Sequence, residues 1–251
     1  MRALRTASAA LLLAASLPGA AEAQHRPSAS VVWAGAAGGA LVGAFLLDET
    51  VRDAWAYGDP AGFEWLSSRL NPLGKPKYSV LGLGALYVGG RAAGSRGVSD
   101  AAWHTLAALA ASGVANGTLK YTVGRARPHR ERGHAAFEPF NLDDHWQAFP
   151  SGHTTVVFSL AASAAEEADR PWVSVVSYGT AAMVGWSRIY EDKHWISDVV
   201  GGVVVGIATS KATLHWLHSR EAGEESGGGG GVGAVRVALS PSGIVVRVPT
   251  R

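Results

Sequence analysis

Six apolar segments, each bounded by charged or polar residues, dominate the pattern of hydrophobic and polar positions along the chain. They lack the strict alternation of a half-buried strand and are rich in alanine, valine, leucine and glycine. The pattern therefore predicts helices, and the short connections between the later segments favour antiparallel neighbours. The predicted fold class is all-α, an antiparallel bundle of about six helices. The segments are 31–47, 79–90, 101–119, 154–165, 172–186 and 199–210.

The N-terminus has the layout of a secretory signal peptide. Arg2 and Arg5 precede an apolar run over residues 9–17, and residues 21–23 (AEA) form a small-residue cleavage site. We expect residues 1–23 to be removed and the protein to be exported, to the periplasm or the outer face of the cytoplasmic membrane. An uncleaved membrane anchor is the alternative interpretation.

The C-terminal tail differs from the helical domain, which we predict to cover residues 24–220. A serine followed by five glycines at 226–231 predicts a flexible linker over residues 221–234. Two alternating segments separated by turn residues at 240–243 then predict a β-hairpin over 235–251. Because a lone two-stranded hairpin is marginal in water, we expect it to dock on the bundle or on a partner.

Segment lengths bear on whether the bundle crosses a membrane. A span needs about 20 apolar residues, and several of the predicted segments have nearer about 12. The mean hydropathy of +0.11 is low for a chain made mostly of spans. If the signal peptide is removed, three full spans would also place the end of the third segment on the cytoplasmic side. Either the leader is retained, or one early segment does not cross, or the bundle is not fully transmembrane. Of these we favour an exported helical domain on the outer side of the membrane. Residues 48–66 are rich in aromatics, which is typical of a membrane interface and equally of packed core aromatics.

Composition limits the chemistry. Among 251 residues there is no cysteine, which excludes disulfides, thiol nucleophiles and cysteine-based zinc sites. The net charge of +2 gives no reason to expect a nucleic-acid partner.

Three short stretches concentrate residues that are suited to phosphate chemistry. They are 120–128 (KYTVGRARP), 150–153 (PSGH) and 187–198 (SRIYEDKHWISD), and each adjoins a predicted helix end. Phosphoryl transfer needs charge stabilisation on the equatorial oxygens, which fixed cations and backbone N–H groups can supply. Lys120, Arg127 and Arg188 are suitable cations, the arginines as paired donors and the lysine as a point charge.

The second and third stretches add a helix cap and a candidate nucleophile. Ser151, followed by Gly152, stands where an N-cap hydroxyl belongs, and the helix N-terminus behind it favours anions. His194 and Asp198 are four residues apart and would share one face of a helix. The carboxylate can then accept a hydrogen bond from one imidazole nitrogen and leave the other as a nucleophile. His153 remains as general acid.

Taken singly, each of these residues has an ordinary structural interpretation. Lys120 and Arg127 suit a helix C-terminus, Ser151 a simple cap, and the His194–Asp198 pair a surface hydrogen bond. Their joint occurrence favours one phosphate site.

The three stretches resemble the three-part signature of the type 2 phosphatidic acid phosphatase (PAP2) and vanadium haloperoxidase superfamily. That signature is Lys, six residues, Arg-Pro; then Pro-Ser-Gly-His; then Ser-Arg, five residues, His, three residues, Asp. No motif position departs from it, and the resemblance covers roughly residues 31–218. It implies a PAP2-type helix bundle and a phosphohistidine intermediate on His194, oriented by Asp198, with His153 as proton donor. It further implies phosphate binding by Lys120, Arg127, Ser151, Gly152 and Arg188, without metal or cofactor.

The function expected from this resemblance is a metal-independent phosphatase, a phosphomonoesterase or pyrophosphatase. A lipid phosphate or isoprenyl diphosphate is the expected substrate, and membrane association follows from it. A soluble periplasmic non-specific acid phosphatase is the alternative. A vanadate-dependent haloperoxidase and a non-catalytic phosphate-binding protein are further alternatives.

Other polar and aromatic residues receive weaker predictions. We expect a solvated loop, rather than a metal site, around His129, His134 and His145, and structural roles for His104, His215 and His218. The loop between the first two motifs has four aromatic residues that would form an apolar lip for a lipid tail, or simply pack within the loop. They are Phe137, Phe140, Trp146 and Phe149.

Overall fold

The computed structural model describes residues 28–56, 63–226, 236–240 and 243–247. Its helices are α1 (Ala29–Leu46), α2 (Asp48–Ala56), α3 (Phe63–Leu70), α4 (Pro76–Ala92), α5 (Arg96–Val123), α6 (Gly152–Ala168), α7 (Pro171–Tyr190) and α8 (Ile196–Ser226). All six predicted helical segments fall within helices, apart from Leu47 at the end of the first, and the all-α class is confirmed. The chain divides into two units, Met1–Ala36 and Ala37–Arg251. The described part of the first unit is the start of α1, and all contacts below lie within the second.

Two short helices were not predicted. Residues 48–56 and 63–70 form α2 and α3, which are too short and too polar to give an apolar segment. Trp55 packs edge-on against Trp186, with ring centroids 4.7 Å apart. Phe63 packs similarly against Tyr190, at 4.8 Å. Packed aromatics are therefore the correct interpretation for these two residues.

Helix α6 occupies the centre of the bundle, in contact with α5, α7 and α8. A buried apolar cluster joins α3, α6 and α7, through Leu70, Val157, Phe158, Ala161, Ala181 and Val184. Helix α8 approaches α6 closely because it presents glycines to it. A Cβ added at Gly202 would lie 2.7 Å from the carbonyl oxygen of Ser151, and one at Gly206 would lie 2.7 Å from that of Thr155.

The end of α5 is set by Gly124. This residue has a left-handed conformation (φ 58°), and its N–H donates to the carbonyl oxygen of Lys120, as in a glycine-terminated helix. A Cβ there would lie only 1.8 Å from the carbonyl oxygen of Glu138. The chain thus leaves α5 in a sharp turn, and residues 125–150 return to the start of α6. Two 3₁₀ turns interrupt this return, Pro128–Arg130 and Asp144–Trp146.

Two described helices are long and apolar enough to cross a membrane by length and composition, Ala29–Leu46 and the Ile196–Gly223 part of α8. The criterion is weak for a pair of this kind, because a core helix or a signal sequence also meets it. About a third of the α8 segment is buried, at 33%.

The tail contains two strands, β1 (Arg236–Ser240) and β2 (Gly243–Arg247). They pair antiparallel, with Val237 opposite Val246, where the alternation of the sequence predicts a hairpin. Helix α8 runs to Ser226, past residue 220 where the helical domain is predicted to end. The predicted signal peptide and most of the predicted linker lie outside the described residues.

Candidate active site

The three predicted motifs meet at one end of the bundle. Lys120 lies in the last turn of α5, and His153 lies in the first turn of α6. Arg188 lies in the last turn of α7, whereas Asp198 lies in the first turn of α8. A backbone hydrogen bond of 2.9 Å from the N–H of Ser151 to the carbonyl oxygen of Asp198 ties two of these helix ends together.

His194 is buried between a carboxylate and a cation. Its Nδ1 lies 3.6 Å from Oδ2 of Asp198, too far for a good hydrogen bond. Its Nε2 lies 3.4 Å from Nη1 of Arg127. Burial, together with the charges of Lys120, Arg127 and Arg188, lowers the pKa of His194 well below its ordinary value. The ring is therefore neutral near pH 7, with Nδ1 toward the carboxylate and Nε2 toward the arginine.

The prediction that His194 and Asp198 share a helix face is wrong. Helix α8 begins at Ile196, so His194 lies in the turn before it. The carboxylate of Asp198 accepts a hydrogen bond of 2.9 Å from the N–H of Trp195. This bond caps the start of α8, just after His194. The turn before the helix, rather than a helical repeat, brings the side chains of His194 and Asp198 together.

Two residues that the sequence analysis missed hold Asp198 in place. Arg125 is 1% exposed and donates from Nη1 to Oδ1 of Asp198 at 2.7 Å. Its Nη2 donates to Oδ2 of Asp48 at 2.6 Å. Asp48 in turn accepts from the N–H of Ser197 at 2.9 Å and from its hydroxyl at 2.6 Å. A buried arginine between two carboxylates therefore fixes the N-terminus of α8 beside the nucleophile candidate.

The predicted cations lie near His194, and each is held by different partners. Arg127 is held by Asp144, through Nη2 to Oδ1 at 2.8 Å and Nε to the carbonyl oxygen at 2.9 Å. The ammonium of Lys120 donates to the carbonyl oxygen of Gln147. Burial and the neighbouring Arg127 lower the pKa of Lys120 to about 8. The crowding of buried positive charge would be relieved by a bound anion.

Arg188 has side-chain donors without a hydrogen-bond partner among the described residues. It is buried, and its Nη2 lies 3.0 Å from Oε2 of Glu191. Among the described residues its Nε and Nη1 have no hydrogen-bond partner. Buried polar groups are normally paired, so these two donors suit a ligand that brings oxygen acceptors. A phosphate group offers several such oxygens, and a guanidinium binds them with charge-assisted hydrogen bonds.

The start of α6 completes the ring of donors. Ser151 is fully buried and caps the helix, as predicted, accepting from the N–H of Thr154 at 3.4 Å and from its hydroxyl at 2.9 Å. The first N–H groups of a helix, here those of Gly152 and His153, have no acceptor within it and attract anions. A Cβ added at Gly152 would lie 3.7 Å from Cε of Lys120, which places this helix end beside the lysine.

His153 is oriented by a residue outside the motifs. Its Nε2 lies 3.0 Å from Oδ1 of Asn71, which favours the tautomer with the hydrogen on Nε2. Asn71 begins the 3₁₀ turn Asn71–Gly74. Burial and the charge of Arg188 lower the pKa of His153 to about 4. A bound dianion would raise that pKa, so the ring would take up a proton when phosphate arrives.

Two of the four loop aromatics lie at the surface. Phe137 is 45% exposed and Phe140 is 62% exposed, and Phe140 packs edge-on against Tyr121 at 5.4 Å. Phe149 instead packs against α8, because a Cβ at Gly201 would lie 2.5 Å from its ring. The loop therefore presents an apolar edge formed by part of the predicted set.

Comparison of the sequence with known protein families agrees with this arrangement of motifs and helices. The sequence model of the PAP2 superfamily matches residues 101–222. The chain carries a PAP2 superfamily domain. The domain boundaries leave the first motif, at Lys120, and the last, at Asp198, well inside the match.

Relatives of the PAP2 domain include two lipid A 1-phosphatases. The chain is 37% identical over 100 residues to that of Porphyromonas gingivalis, a match that covers 39% of this chain and 19% of the relative. It is 34% identical over 97 residues to that of Rhizobium johnstonii, which covers 38% of this chain and 39% of the relative. The chain thus spans about a fifth to two fifths of the length of these curated relatives.

The PAP2 domain also has the fold of a solved protein. The crystal structure of the first transmembrane PAP2 type phosphatidylglycerolphosphate phosphatase, from Bacillus subtilis, superposes with a TM-score of 0.54 and 20% identity. The match covers 72% of this chain and 96% of that one. The helical PAP2 bundle expected from the motifs is therefore confirmed as the fold.

Proposed function

We propose that the protein is a phosphatase that hydrolyses a lipid phosphate or an isoprenyl diphosphate through a phosphohistidine intermediate on His194. The observation that carries the proposal is the pair of buried, unpartnered donors of Arg188 near His194, where the charges of Lys120 and Arg127 also act. These residues supply fixed positive charge where phosphoryl transfer concentrates negative charge. They could hold the phosphate without a metal ion.

In the first step, the lone pair on Nε2 of His194 attacks phosphorus while the ester P–O bond breaks. His153 donates its proton to the leaving oxygen, a role worth roughly 10²–10⁴-fold. The phosphorylated imidazole becomes positively charged, and its Nδ1–H then faces the carboxylate of Asp198. Arg125 keeps that carboxylate in position.

In the second step, water attacks the phosphorus and transfers its proton to His153. The P–N bond breaks and its electron pair returns to Nε2, which releases inorganic phosphate and regenerates neutral His194. The group that donated the proton in the first step accepts it in the second, so the cycle restores both histidines.

A lipid substrate is supported by apolar surface beside the site and along the helices. Phe140 and Leu142 are 62% and 78% exposed in the loop that precedes α6. Leu81, Val114 and Val175, on three different helices, are 69%, 72% and 73% exposed. Large exposed apolar surface is typical of contact with membranes or partners. The names of the two relatives also refer to phosphate on a lipid.

The mechanism is tested by His194→Gln in the purified full-length chain. We expect loss of turnover on phosphatidic acid and on an isoprenyl diphosphate, and loss of acid-labile ³²P trapped on the protein by rapid quenching. His215→Gln changes an exposed histidine of α8 and should behave as wild type. Undiminished hydrolysis by the His194→Gln protein would refute the nucleophile.

The substrate class is tested separately with Phe140→Ser. We expect a lower kcat/KM on phosphatidic acid in mixed micelles and an unchanged value on p-nitrophenyl phosphate. A higher kcat/KM of the wild-type protein on p-nitrophenyl phosphate than on phosphatidic acid would support the soluble acid phosphatase instead. The phosphohistidine mechanism would be unaffected by that result.

We also propose export with cleavage after Ala23, on the basis of the charged and apolar N-terminal residues. Mass measurement of the mature protein should give an N-terminus at Gln24. Release from membranes by detergent, but not by high salt, would show integration rather than peripheral association.

A further inference from the structure

A cluster of histidine and glutamate side chains lies at the other end of the bundle from the candidate active site. It joins His104 of α5, Glu167 of α6, and His218 and Glu221 of α8. Glu167 follows His153 by most of the length of α6. At about 1.5 Å per residue the two are separated by about 21 Å, so the cluster is no part of the phosphate site.

The distances within the cluster match those between ligands of one metal ion. Nδ1 of His104 lies 3.0 Å from Oε1 of Glu167, and Nε2 of His218 lies 3.3 Å from the same oxygen. One ligand atom from each of these three residues lies within 4.8 Å of the others. Bonds of about 2.0–2.1 Å in tetrahedral geometry place neighbouring ligand atoms about 3.3–3.4 Å apart. Small side-chain rotations would bring all three atoms to that spacing.

A fourth residue, Glu221, contacts the second ring nitrogen of His104. Nε2 of His104 lies 2.9 Å from Oε1 of Glu221, so this ring contacts a carboxylate through each nitrogen. A neutral imidazole has only one N–H to donate, so the ring either carries a second proton and donates to both carboxylates or binds a metal ion in place of one of these protons. With Nε2–H donating to Glu221, Nδ1 is free to bind a metal. This is the carboxylate–histidine–metal arrangement in which the outer carboxylate fixes the tautomer.

Burial and access also suit a bound ion. The side chain of His104 is 4% exposed, whereas those of His218 and Glu221 are 42% and 48% exposed. Glu221 also lines a surface cavity with Asp100 and Arg96. An ion can thus reach the cluster from this side while its deepest ligand stays fixed in the core.

We propose that His104, Glu167 and His218 bind a divalent ion of the zinc class, with Glu221 as the positioning residue for His104. Two imidazoles and one carboxylate suit Zn²⁺, whereas Mg²⁺ and Ca²⁺ prefer more oxygen ligands. Three protein ligands leave a fourth position for water. The bound ion would link α5, α6 and α8, the three helices that also carry Lys120, His153 and Asp198. The proposal gives His104 and His218 a role beyond the structural one expected from the sequence.

The test uses the full-length chain in detergent, stripped of metal with EDTA and titrated with ZnCl₂ by calorimetry. We expect one saturable site in wild type and its loss in His218→Gln, a change at a half-exposed position that should not prevent folding. His215→Gln, on the same helix, is the matched control and should bind as wild type does. Glu221→Gln should bind Zn²⁺ about 10–100-fold more weakly, as expected for the loss of an outer carboxylate.

Two further readouts do not depend on enzymatic activity. Co²⁺ should give the intense visible bands of a four-coordinate site in wild type and His215→Gln but not in His218→Gln. Added Zn²⁺ should raise the Tm of the first two proteins only.

The proposal is overturned if wild type shows no stoichiometric Zn²⁺ binding, or if His218→Gln binds as wild type does. The second result would assign the ion to other ligands, such as the imidazoles of the active site. Equal loss in His215→Gln would also overturn it, because the effect would then belong to α8 as a whole. Phosphatase turnover of His218→Gln should match wild type, which separates this proposal from the proposed function.

Discussion

Asp48→Asn tests whether a carboxylate outside the three motifs fixes the start of α8. The side chain of Asp48 is buried and accepts three hydrogen bonds, of 2.9 and 2.6 Å from Ser197 and 2.6 Å from Arg125. Asparagine keeps the shape but turns an NH₂ group toward at least one of these donors, and it removes the charge. Breaking a buried ion pair costs about 3–5 kcal/mol. Arg125 keeps Asp198 as its second carboxylate, so we expect the lower value, about 3 kcal/mol.

For a domain of this size, 1 kcal/mol shifts Tm by about 2–4 °C, so the Asp48→Asn protein should melt about 6–12 °C below wild type. The assay is thermal unfolding in detergent followed by circular dichroism. Asp53→Asn, at an exposed position of the same helix, is the control and should melt close to wild type. Because Ser197 adjoins Asp198, we also expect kcat to fall while KM changes little.

A double variant separates this pairing from general damage. Asp48→Asn and Arg125→Gln each leave a partner behind, so their losses in stability should be strongly non-additive when combined. Additive losses, or an Asp48→Asn protein that melts with wild type, would contradict the role given to this pair.

Three other predictions follow from the site and its packing. Because the pKa of His153 is lowered to about 4 from 6.5, the unfolded chain binds more protons between those values, and stability should fall as pH falls from about 6.5 to 4; urea midpoints of His153→Asn, which cannot take up that proton, should vary less across this window. Binding of inorganic phosphate should be accompanied by proton uptake, measured as calorimetric heats that depend on the ionisation enthalpy of the buffer; equal heats in all buffers would contradict a neutral His153 in the free enzyme. Gly202→Ala should destabilise by about 1–3 kcal/mol, because its Cβ meets the backbone of Ser151, whereas Gly179→Ala, with open space around it, should be neutral or stabilising in chemical unfolding.

The motif residues were predictable because each is a polar group at the end of an apolar segment. The pattern gave six helices, and helix ends that meet at one end of a bundle bring their polar residues together. Arg125 was missed for a different reason. It lies two residues before Arg127 in the same run, and only tertiary structure decides which guanidinium is buried against Asp198.

Long-range polar pairs were not visible in the sequence at all. Asp48 lies 77 residues before its partner Arg125, in a helix too short to give a periodic signal. His104 and His218 look like isolated polar residues within apolar helices, and their contact with Glu167 depends on how α5, α6 and α8 align. The helical relation expected for His194 failed because the carboxylate of Asp198 accepts from the N–H of Trp195, and this cap competes with one more turn of helix.

Gly124 gives a physical meaning to the number of residues between Lys120 and Arg127. One turn of helix leads from the lysine to the glycine, and three residues of extended chain lead from there to the arginine. In extended chain, alternate residues share a face, so Arg125 and Arg127 both turn toward residues 193–198, Arg125 to Asp198 and Arg127 to His194. An inserted residue after Gly124 would reverse that alternation and exchange an arginine with Ala126, whose carbonyl oxygen accepts the indole N–H of Trp195. Insertions should therefore be tolerated in the loop beyond residue 128 but not within this interval.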